Sequence, residues 1–342
     1  MSDPAIDRLF DGKYRVVRLL RQSGWATVYE AVTASTNERV AVKVLNQELA
    51  RKPELAARFA REAEATTRIV SPFVVTTYGT GTLSDGRPYI VMEFLEGKSL
   101  ARVLAEDISR ESAVKYVVDL LSALDHAHSK GVVHRDIRPD NVFVVRSEHG
   151  EETVKVVDFG ISKAHVPRAE LPAKSEGAAS GPVYMSPEQA RGARDMDHRS
   201  DLYSVGVVLY EAVTKAVPHA AATFNELLFK IALEDVIDPR TKFPDLDPSI
   251  AEIIVKSLSR EPATRYQSAA EFRDALTKWL EGRSAQRHQV PAKEPKGGRS
   301  IGLVLAIVIL LGLAGAFLLT RTMKSRPSSA PSTSAPRTET PP

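Results

Sequence analysis

Two loops of the chain gather residue types that hold and transfer charged groups. The segment His134 to Asn141, HRDIRPDN, contains two acids, two cations and an amide, and Pro139 makes it a loop before the apolar run Val142 to Val145. A second apolar run, Val154 to Val157, leads into Asp158-Phe159-Gly160. Apolar runs of this length are typical of buried strands, so we expect two such strands, each joined to a loop that bears carboxylates.

A lysine ends an earlier strand. Lys43 follows Val40-Ala41-Val42, and Glu62 lies in the amphipathic helix that comes next, on a face able to point back at the strand. Taken alone, Lys43 is interpreted as a strand lysine whose stem is buried while its ammonium reaches water. A pair with Glu62 would instead fix the ammonium where it could hold nucleotide phosphates.

The elements around these segments change character along the chain. Runs rich in β-branched and aromatic residues predict strands at 14–20, 27–33, 40–45, 74–78 and 89–94, with one helix at 54–69. Helical spacing of apolar residues then dominates, at Val114, Val117, Leu121, Leu124, Tyr203, Val207, Tyr210, Ile254, Leu258, Phe272, Leu276 and Trp279. The predicted fold class is α+β, with a small β-rich lobe before a larger helical lobe.

These motifs, in this order, resemble those of eukaryotic-like protein kinases. HRDIRPDN and Asp158-Phe159-Gly160 look like the family's catalytic and metal-binding loops, and VAVK with Glu62 matches its Lys–Glu pair. Three further matches follow in the family's order: YMSPE at 184–188, DLYSVG at 201–206, and Arg265, which is similar to the arginine that pairs with the glutamate of the SPE segment. The chain looks most like the bacterial membrane-anchored serine/threonine kinases.

The resemblance implies a two-lobed protein-kinase-like fold. An N-terminal segment at 1–13 would precede a kinase domain at 14–281, with its N-lobe at about 14–94 and its C-lobe at about 95–281. The implied activity is transfer of the γ-phosphoryl group of ATP, with Mg²⁺, to Ser or Thr hydroxyls of proteins, including this protein itself.

The same resemblance implies roles for individual residues. Lys43, oriented by Glu62, would hold the α- and β-phosphates, and Asp136 would orient the attacking hydroxyl. Arg138, where most serine/threonine kinases have lysine, would keep a positive charge beside the transferred group. Oxygens for Mg²⁺ would come from Asn141 and Asp158. Adenine would lie between the lobes against Val28, Ala41 and Phe143, with the backbone near Glu93 and Leu95 bonding to its edge.

The sequence departs from the family pattern in two places. Aligned on Val28, the pattern G-x-G-x-x-G-x-V reads RQSGWATV, so the three signature glycines are replaced and Gly24 alone remains as a nucleotide-binding candidate. Because glycine lets the backbone approach phosphates closely, we expect the replacements to loosen or reshape the nucleotide clamp. Gly181 stands where the family has a threonine that links the catalytic aspartate to the substrate platform. The segment before it offers Ser162, Ser175 and Ser180 as phosphate acceptors, which we interpret as unmodified.

The C-terminal part of the chain has a different composition. Ile301 to Leu319 is nineteen residues without a charge, and as a helix it would span roughly 28 Å, close to the hydrocarbon thickness of a bilayer. It predicts one transmembrane helix, after a polar linker at 282–300 and before a disordered Pro/Ser/Thr-rich tail at 320–342. A buried core helix is the alternative. The small-residue pairs Gly302/Ala306 and Gly312/Ala316 are compatible with self-association of this helix.

Charge and composition exclude several classes of protein. The chain has no cysteine, so disulfide scaffolds, thiolate metal sites and cysteine nucleophiles are excluded. Residues 281–342 carry nine Lys/Arg and three Glu, which leaves 1–280 slightly acidic and argues against nucleic-acid binding. The acidic N-terminus does not resemble a signal peptide. We therefore predict a single-pass protein of the cytoplasmic membrane, with a cytosolic kinase domain and a short C-terminal tail outside.

Two other functions remain open at the level of sequence. A pseudokinase that acts as a scaffold or regulator would account for the lost glycines and for Gly181. Phosphoryl transfer to lipids or small molecules is consistent with the fold alone. The SPE segment and Arg265 count against it, since they resemble the protein-substrate platform.

Overall fold

The structure is a computed structural model that describes residues 5–146, 150–159, 181–193 and 195–289, together with Ile309 and Leu311. The chain divides into two units, Met1–Ala285 and Gln286–Pro342. In the second unit, Ile309 and Leu311 are helical and exposed, and the rest of the predicted span at 301–319 lies outside the described residues. In the described part of the chain, no helix is long and apolar enough to cross a membrane.

The first half of the first unit is an antiparallel sheet with two helices. The six strands lie in the order β1-β2-β3-β4-β6-β5. Their bounds are β1 Leu9–Phe10, β2 Tyr14–Gln22, β3 Ala26–Thr33, β4 Arg39–Leu45, β5 Thr77–Thr82 and β6 Pro88–Glu93. Helices α1 (Gln47–Ala50) and α2 (Pro53–Thr67) connect β4 to β5.

Alternation along β4 places two apolar layers on the sheet. Val40, Val42 and Val44 belong to the cluster on one face, while Ala41 and Leu45 belong to the cluster that also contains the apolar residues of α1 and α2. Successive side chains of a strand point to opposite faces, so Lys43 lies on the face of Ala41 and Leu45. The period of the strand therefore sends the lysine toward the candidate site.

The second half of the first unit is mainly helical. Its described elements are β7 Gly97–Ser99, α3 Leu100–Leu104, α4 Arg110–Ser129, β8 Val142–Arg146, β9 Glu152–Val156, α5 Pro187–Ala190, α6 Arg199–Thr214, α7 Phe224–Leu233, α8 Pro248–Ser257 and α9 Ala269–Gln289. Strands β7, β8 and β9 form a small second sheet. Helix α6 lies at the centre, and thirteen of its sixteen residues are buried.

Most of the predicted elements are confirmed, and one strand is wrong. The strand predicted at 74–78 is displaced to Thr77–Thr82, and Val74 makes only an isolated bridge to Val156. The reason is local: Pro72 has no N–H, and the Val74 N–H donates to the carbonyl of Ser71 (3.2 Å) in a turn. Two glycines in β5 weaken the sequence signal for the true strand.

Candidate active site

Lys43 is buried and forms an ion pair with Asp158. Its side chain is 5% exposed, and its Nζ lies 2.6 Å from Asp158 Oδ1. A buried ammonium needs a partner of opposite charge, which the loop after β9 supplies. The predicted pair with Glu62 stays a prediction, because the Glu62 side chain lies outside the described residues. The structure thus brings together two of the predicted site residues that are far apart in sequence.

The HRD loop is attached to a buried carboxylate that sequence reasoning did not single out. Asp201, in the first turn of α6, accepts hydrogen bonds from the backbone N–H groups of His134 (2.8 Å) and Arg135 (2.7 Å). It also contacts Nε2 of His128 at 2.8 Å. Burial by itself raises the pKa of Asp201, but the hydrogen bond and charge of His128, together with His134, lower it overall. An ionised group therefore fixes the loop backbone at Arg135, whose φ is +65°.

His128 has a structural role, because its ring binds the carboxylate that fixes the HRD loop. The only sequence signal for Asp201 was its place at the start of the DLYSVG motif. This motif predicts a buried helix but does not identify the residues that Asp201 binds.

Asp136 and Asn141 are held together across the loop. The Asn141 amide nitrogen donates to the Asp136 carbonyl (2.8 Å) and to its Oδ2 (3.1 Å). The Asp136 N–H donates to Nδ1 of His134 (3.2 Å), which leaves Nε2 to donate to the Val157 carbonyl (3.0 Å). The Val157 N–H donates in turn to the Asn141 carbonyl (2.9 Å). These bonds join the HRD loop to the residue just before Asp158.

Arg138 is buried against Gly181. Its Nε donates to Asp140 Oδ2 at 2.9 Å, and its Nη2 contacts the same oxygen. A Cβ at position 181 would lie 2.9 Å from Arg138 Nη1. Nη1 would therefore have to shift to admit a Cβ at position 181, so Arg138 and Gly181 are close neighbours.

The three apolar residues predicted to lie against adenine belong to one cluster with Leu95, whose backbone was predicted to bond to the edge of the ring. Ala41 is buried in this cluster, and Val28, Leu95 and Phe143 pack against the cluster. The Glu93 carboxylate pairs with Lys155 (2.6 Å), and the Glu93 N–H donates to the Thr76 carbonyl (2.9 Å). Gly24 lies in the turn between β2 and β3.

The predicted pair between Arg265 and the SPE segment is confirmed. Nη1 and Nη2 of Arg265 each lie 2.8 Å from one carboxylate oxygen of Glu188, and Ser200 Oγ donates to Glu188 Oε1 (2.6 Å). Burial raises the pKa of Glu188, but the hydrogen bond and charge of Arg265 bring it below its ordinary value. The candidate phosphate acceptors Ser162, Ser175 and Ser180, interpreted as unmodified, lie outside the described residues, as does Gly160.

The residues predicted to bind Mg²⁺ fit a hard cation. Asp158 supplies a carboxylate. The Asn141 side chain forms both of its described hydrogen bonds through its nitrogen, so neither of these bonds uses its amide oxygen. Carboxylate and amide oxygens are ligands of the kind that Mg²⁺ takes. The site thus combines an ammonium, two oxygen donors and a second carboxylate, Asp136, which is an arrangement able to hold phosphates beside an acceptor hydroxyl.

Residues 14–278 match the family model described as the protein kinase domain. Serine/threonine-protein kinase pkn3 of Myxococcus xanthus is 36% identical over 281 residues, which is 80% of this chain and 51% of that protein. Serine/threonine-protein kinase PknB of Mycolicibacterium smegmatis is 34% identical over 81% of this chain and 44% of its own length. The chain therefore spans about half the length of the curated relatives it matches.

A solved structure is similar as well. The crystal structure of the Mycobacterium tuberculosis PknI kinase domain has a TM-score of 0.63 and 26% sequence identity, and the match covers 82% of this chain and 100% of that one.

Proposed function

The chain belongs to the protein kinase family, among the bacterial serine/threonine kinases, and we propose that it transfers the γ-phosphoryl group of Mg-ATP to Ser or Thr hydroxyls of protein substrates. The observation that carries this proposal is the convergence of Lys43 on Asp158 (2.6 Å) beside the Asn141–Asp136 pair (3.1 Å). These four side chains come from three separate segments, and together they supply the charges that phosphoryl transfer requires.

In this proposal each residue acts on charge or position. The Lys43 ammonium binds phosphate oxygens, and Asn141 and Asp158 hold Mg²⁺, which supplies positive charge that neutralises those oxygens. Asp136 accepts a hydrogen bond from the acceptor hydroxyl and takes its proton late in the transfer, while the Asn141 amide keeps its carboxylate in place. Arg138 adds positive charge at the same loop. The apolar cluster around Ala41 receives the adenine ring.

The test is phosphate incorporation by the full chain, purified in detergent, from γ-labelled ATP with Mg²⁺ and a generic protein acceptor. Label is expected on Ser or Thr, located by mass spectrometry, and Lys43→Met is expected to abolish it. Lys256→Met is the matched control, since Lys256 forms an exposed pair with Glu271 outside the site. Nucleotide binding without transfer in the wild-type protein would support the pseudokinase scaffold instead.

We also propose that one helix at 301–319 holds the protein at the cytoplasmic membrane, with the kinase domain in the cytosol, where ATP is, and the short tail outside. The uncharged run and its basic flanks support this location. The full chain is expected to sediment with membranes and to resist carbonate extraction. A variant with Leu310→Arg and Leu311→Arg is expected to become soluble, because charges at the bilayer centre are unfavourable. A soluble wild-type chain would contradict the proposal.

The contact between Arg138 and Gly181 predicts that these positions depend on each other. Gly181→Thr alone is expected to lower kcat/KM about threefold, because the new Cβ would lie 2.9 Å from Arg138 Nη1 and the buried guanidinium would have to shift. Arg138→Lys together with Gly181→Thr is expected to recover most of that loss, since the smaller cation vacates the space. Initial rates for both single variants and the double variant give the coupling energy. Additive effects of the two changes would contradict the prediction.

A further inference from the structure

The turn between β2 and β3 is closed by one serine side chain. Ser23 Oγ accepts hydrogen bonds from the backbone N–H groups of Trp25 (3.3 Å) and Ala26 (3.1 Å). The same hydroxyl donates to the Ala26 carbonyl (2.9 Å), which also accepts the Ser23 N–H (3.0 Å). The altered glycine-rich segment is therefore an ordered turn in which a side chain satisfies two consecutive amides.

Asn46 binds other groups of the same turn. Its Nδ2 donates to the Ser23 carbonyl (2.7 Å), its backbone N–H donates to the Trp25 carbonyl (3.0 Å), and its Oδ1 accepts from Thr27 Oγ1 (3.0 Å). The Trp25 side chain is 3% exposed and lies in the apolar cluster shared with α1 and α2. Asn46 therefore binds carbonyl groups of the turn, while the Ser23 hydroxyl binds the backbone amides of the turn.

This division matters because a turn binds anions through its N–H groups. A phosphate oxygen that approaches Trp25 and Ala26 meets amides that already donate to a neutral hydroxyl. Glycine, which the family has at position 23, carries no such acceptor. Rotation of the Ser23 side chain would free both amides, and the Asn46 bonds to the carbonyls would keep them in place.

We propose that Ser23 and Asn46 are positioning residues with opposite effects on nucleotide affinity. Ser23 Oγ competes with the phosphates of ATP for the amides of Trp25 and Ala26, and Asn46 keeps those amides oriented for the phosphates. This inference rests on the proposed function, because it concerns ATP at the same site. It predicts that the turn between β2 and β3 lowers the affinity of this kinase for ATP.

The test compares ATP, ADP and adenosine binding to the full chain in detergent, together with the KM for ATP and kcat. Ser23→Ala and Ser23→Gly are expected to tighten ATP and ADP binding about fivefold, the value of one neutral hydrogen bond, and to lower the KM for ATP by a similar factor. Adenosine, which has no phosphates, is expected to bind all variants equally. Ser23→Thr keeps the hydroxyl and is expected to behave like the wild-type protein.

Asn46→Ala is expected to act in the opposite direction and weaken ATP binding without an effect on adenosine. A merely structural role for the turn would move Ser23→Ala and Asn46→Ala the same way. The matched control is Ser109→Ala, which removes a hydroxyl that accepts the Ser112 N–H (3.0 Å) at the start of α4, and it is expected to leave all affinities unchanged.

Unchanged or weaker ATP binding by Ser23→Ala would overturn the inference, and so would an equal change for adenosine. A wild-type chain that binds nucleotides but transfers no phosphate contradicts the proposed function alone, and the binding comparison still decides the role of Ser23. If the wild-type chain binds no ATP, a gain of ATP binding in Ser23→Ala supports the inference, and no gain overturns it.

Discussion

Asp136→Asn is expected to reduce kcat/KM for phosphoryl transfer by about 10² to 10⁴-fold, because the amide cannot accept the proton of the attacking hydroxyl. The substitution preserves size, and the backbone bonds of the loop do not involve the lost charge: the Asp136 N–H still reaches His134 Nδ1 and its carbonyl still accepts from Asn141. We therefore expect a folded protein that binds ATP and transfers almost no phosphate.

The measurement is the initial rate of label transfer, beside the melting temperature and the ATP affinity of the same preparation. Asp125→Asn is the matched control, because Asp125 is a partly exposed aspartate that contacts Arg273 (3.4 Å) in the helical lobe. Equal rates for Asp136→Asn and Asp125→Asn would remove Asp136 from the mechanism.

Arg265→Ala is expected to lower the free energy of unfolding by about 3–5 kcal/mol, as is typical when one partner of a buried ion pair is removed. The Arg265 side chain is 0% exposed. Besides its two bonds to Glu188, it donates to the carbonyls of Ser259, Arg199 and Arg260 at 2.7–3.0 Å. The variant leaves the Glu188 carboxylate buried without its main counter-charge.

Thermal unfolding of the full chain, followed by circular dichroism, tests this prediction. A fall in Tm on the order of 10 °C is expected for a domain of this size. Lys256→Ala, which breaks an exposed pair with Glu271, is expected to change the free energy of unfolding by about 1 kcal/mol at most. If the two variants lost the same stability, the buried pair would stabilise the protein no more than an exposed pair does.

The same pair sets the sign of a pH dependence. Since Arg265 holds the pKa of Glu188 below its ordinary 4.5, the stabilisation by this carboxylate is fully present above that pH and is lost as the pH falls through the folded-state value. In Arg265→Ala, burial raises the pKa of Glu188 without the opposing effect of the arginine. Protonation of Glu188 at lower pH is therefore expected to stabilise the variant. Tm profiles of the two proteins measured from pH 7 to pH 3 include the range below 4.5 in which the wild type is expected to lose this stabilisation.

Local chemistry was enough to predict much of the fold. Runs of β-branched and aromatic residues predicted β2, β3, β4 and β6, and the helix predicted at 54–69 is observed as α2 at Pro53–Thr67. These predictions succeed because the pattern depends on the period of the element and not on its partners. The displaced strand β5 and the unpredicted helix α7 show the limit, since neighbours and turns decide such segments.

The candidate site divides in the same way. Lys43, Asp136, Asn141 and Asp158 could be named because their motifs, in this order, resemble those of the protein kinase family. The contacts that join them to Asp158 and Asp201 were not predicted. The contact of Lys43 with Asp158 spans 115 positions, and the attachment of the HRD loop to Asp201 spans more than 60, so both depend on how the lobes fold.

The turn at Ser23 shows the difference most directly. Sequence alone determined that three glycines are absent, and from this we expected a looser or reshaped nucleotide clamp. In the structure this segment is an ordered turn, because Ser23 and Asn46 bind its amides and carbonyls and Trp25 is buried beside α1 and α2. Residue types determine which groups can form bonds, and the tertiary structure decides which of them meet. Hydrogen bonds act over about 3 Å, while the residues that form them lie anywhere along the chain.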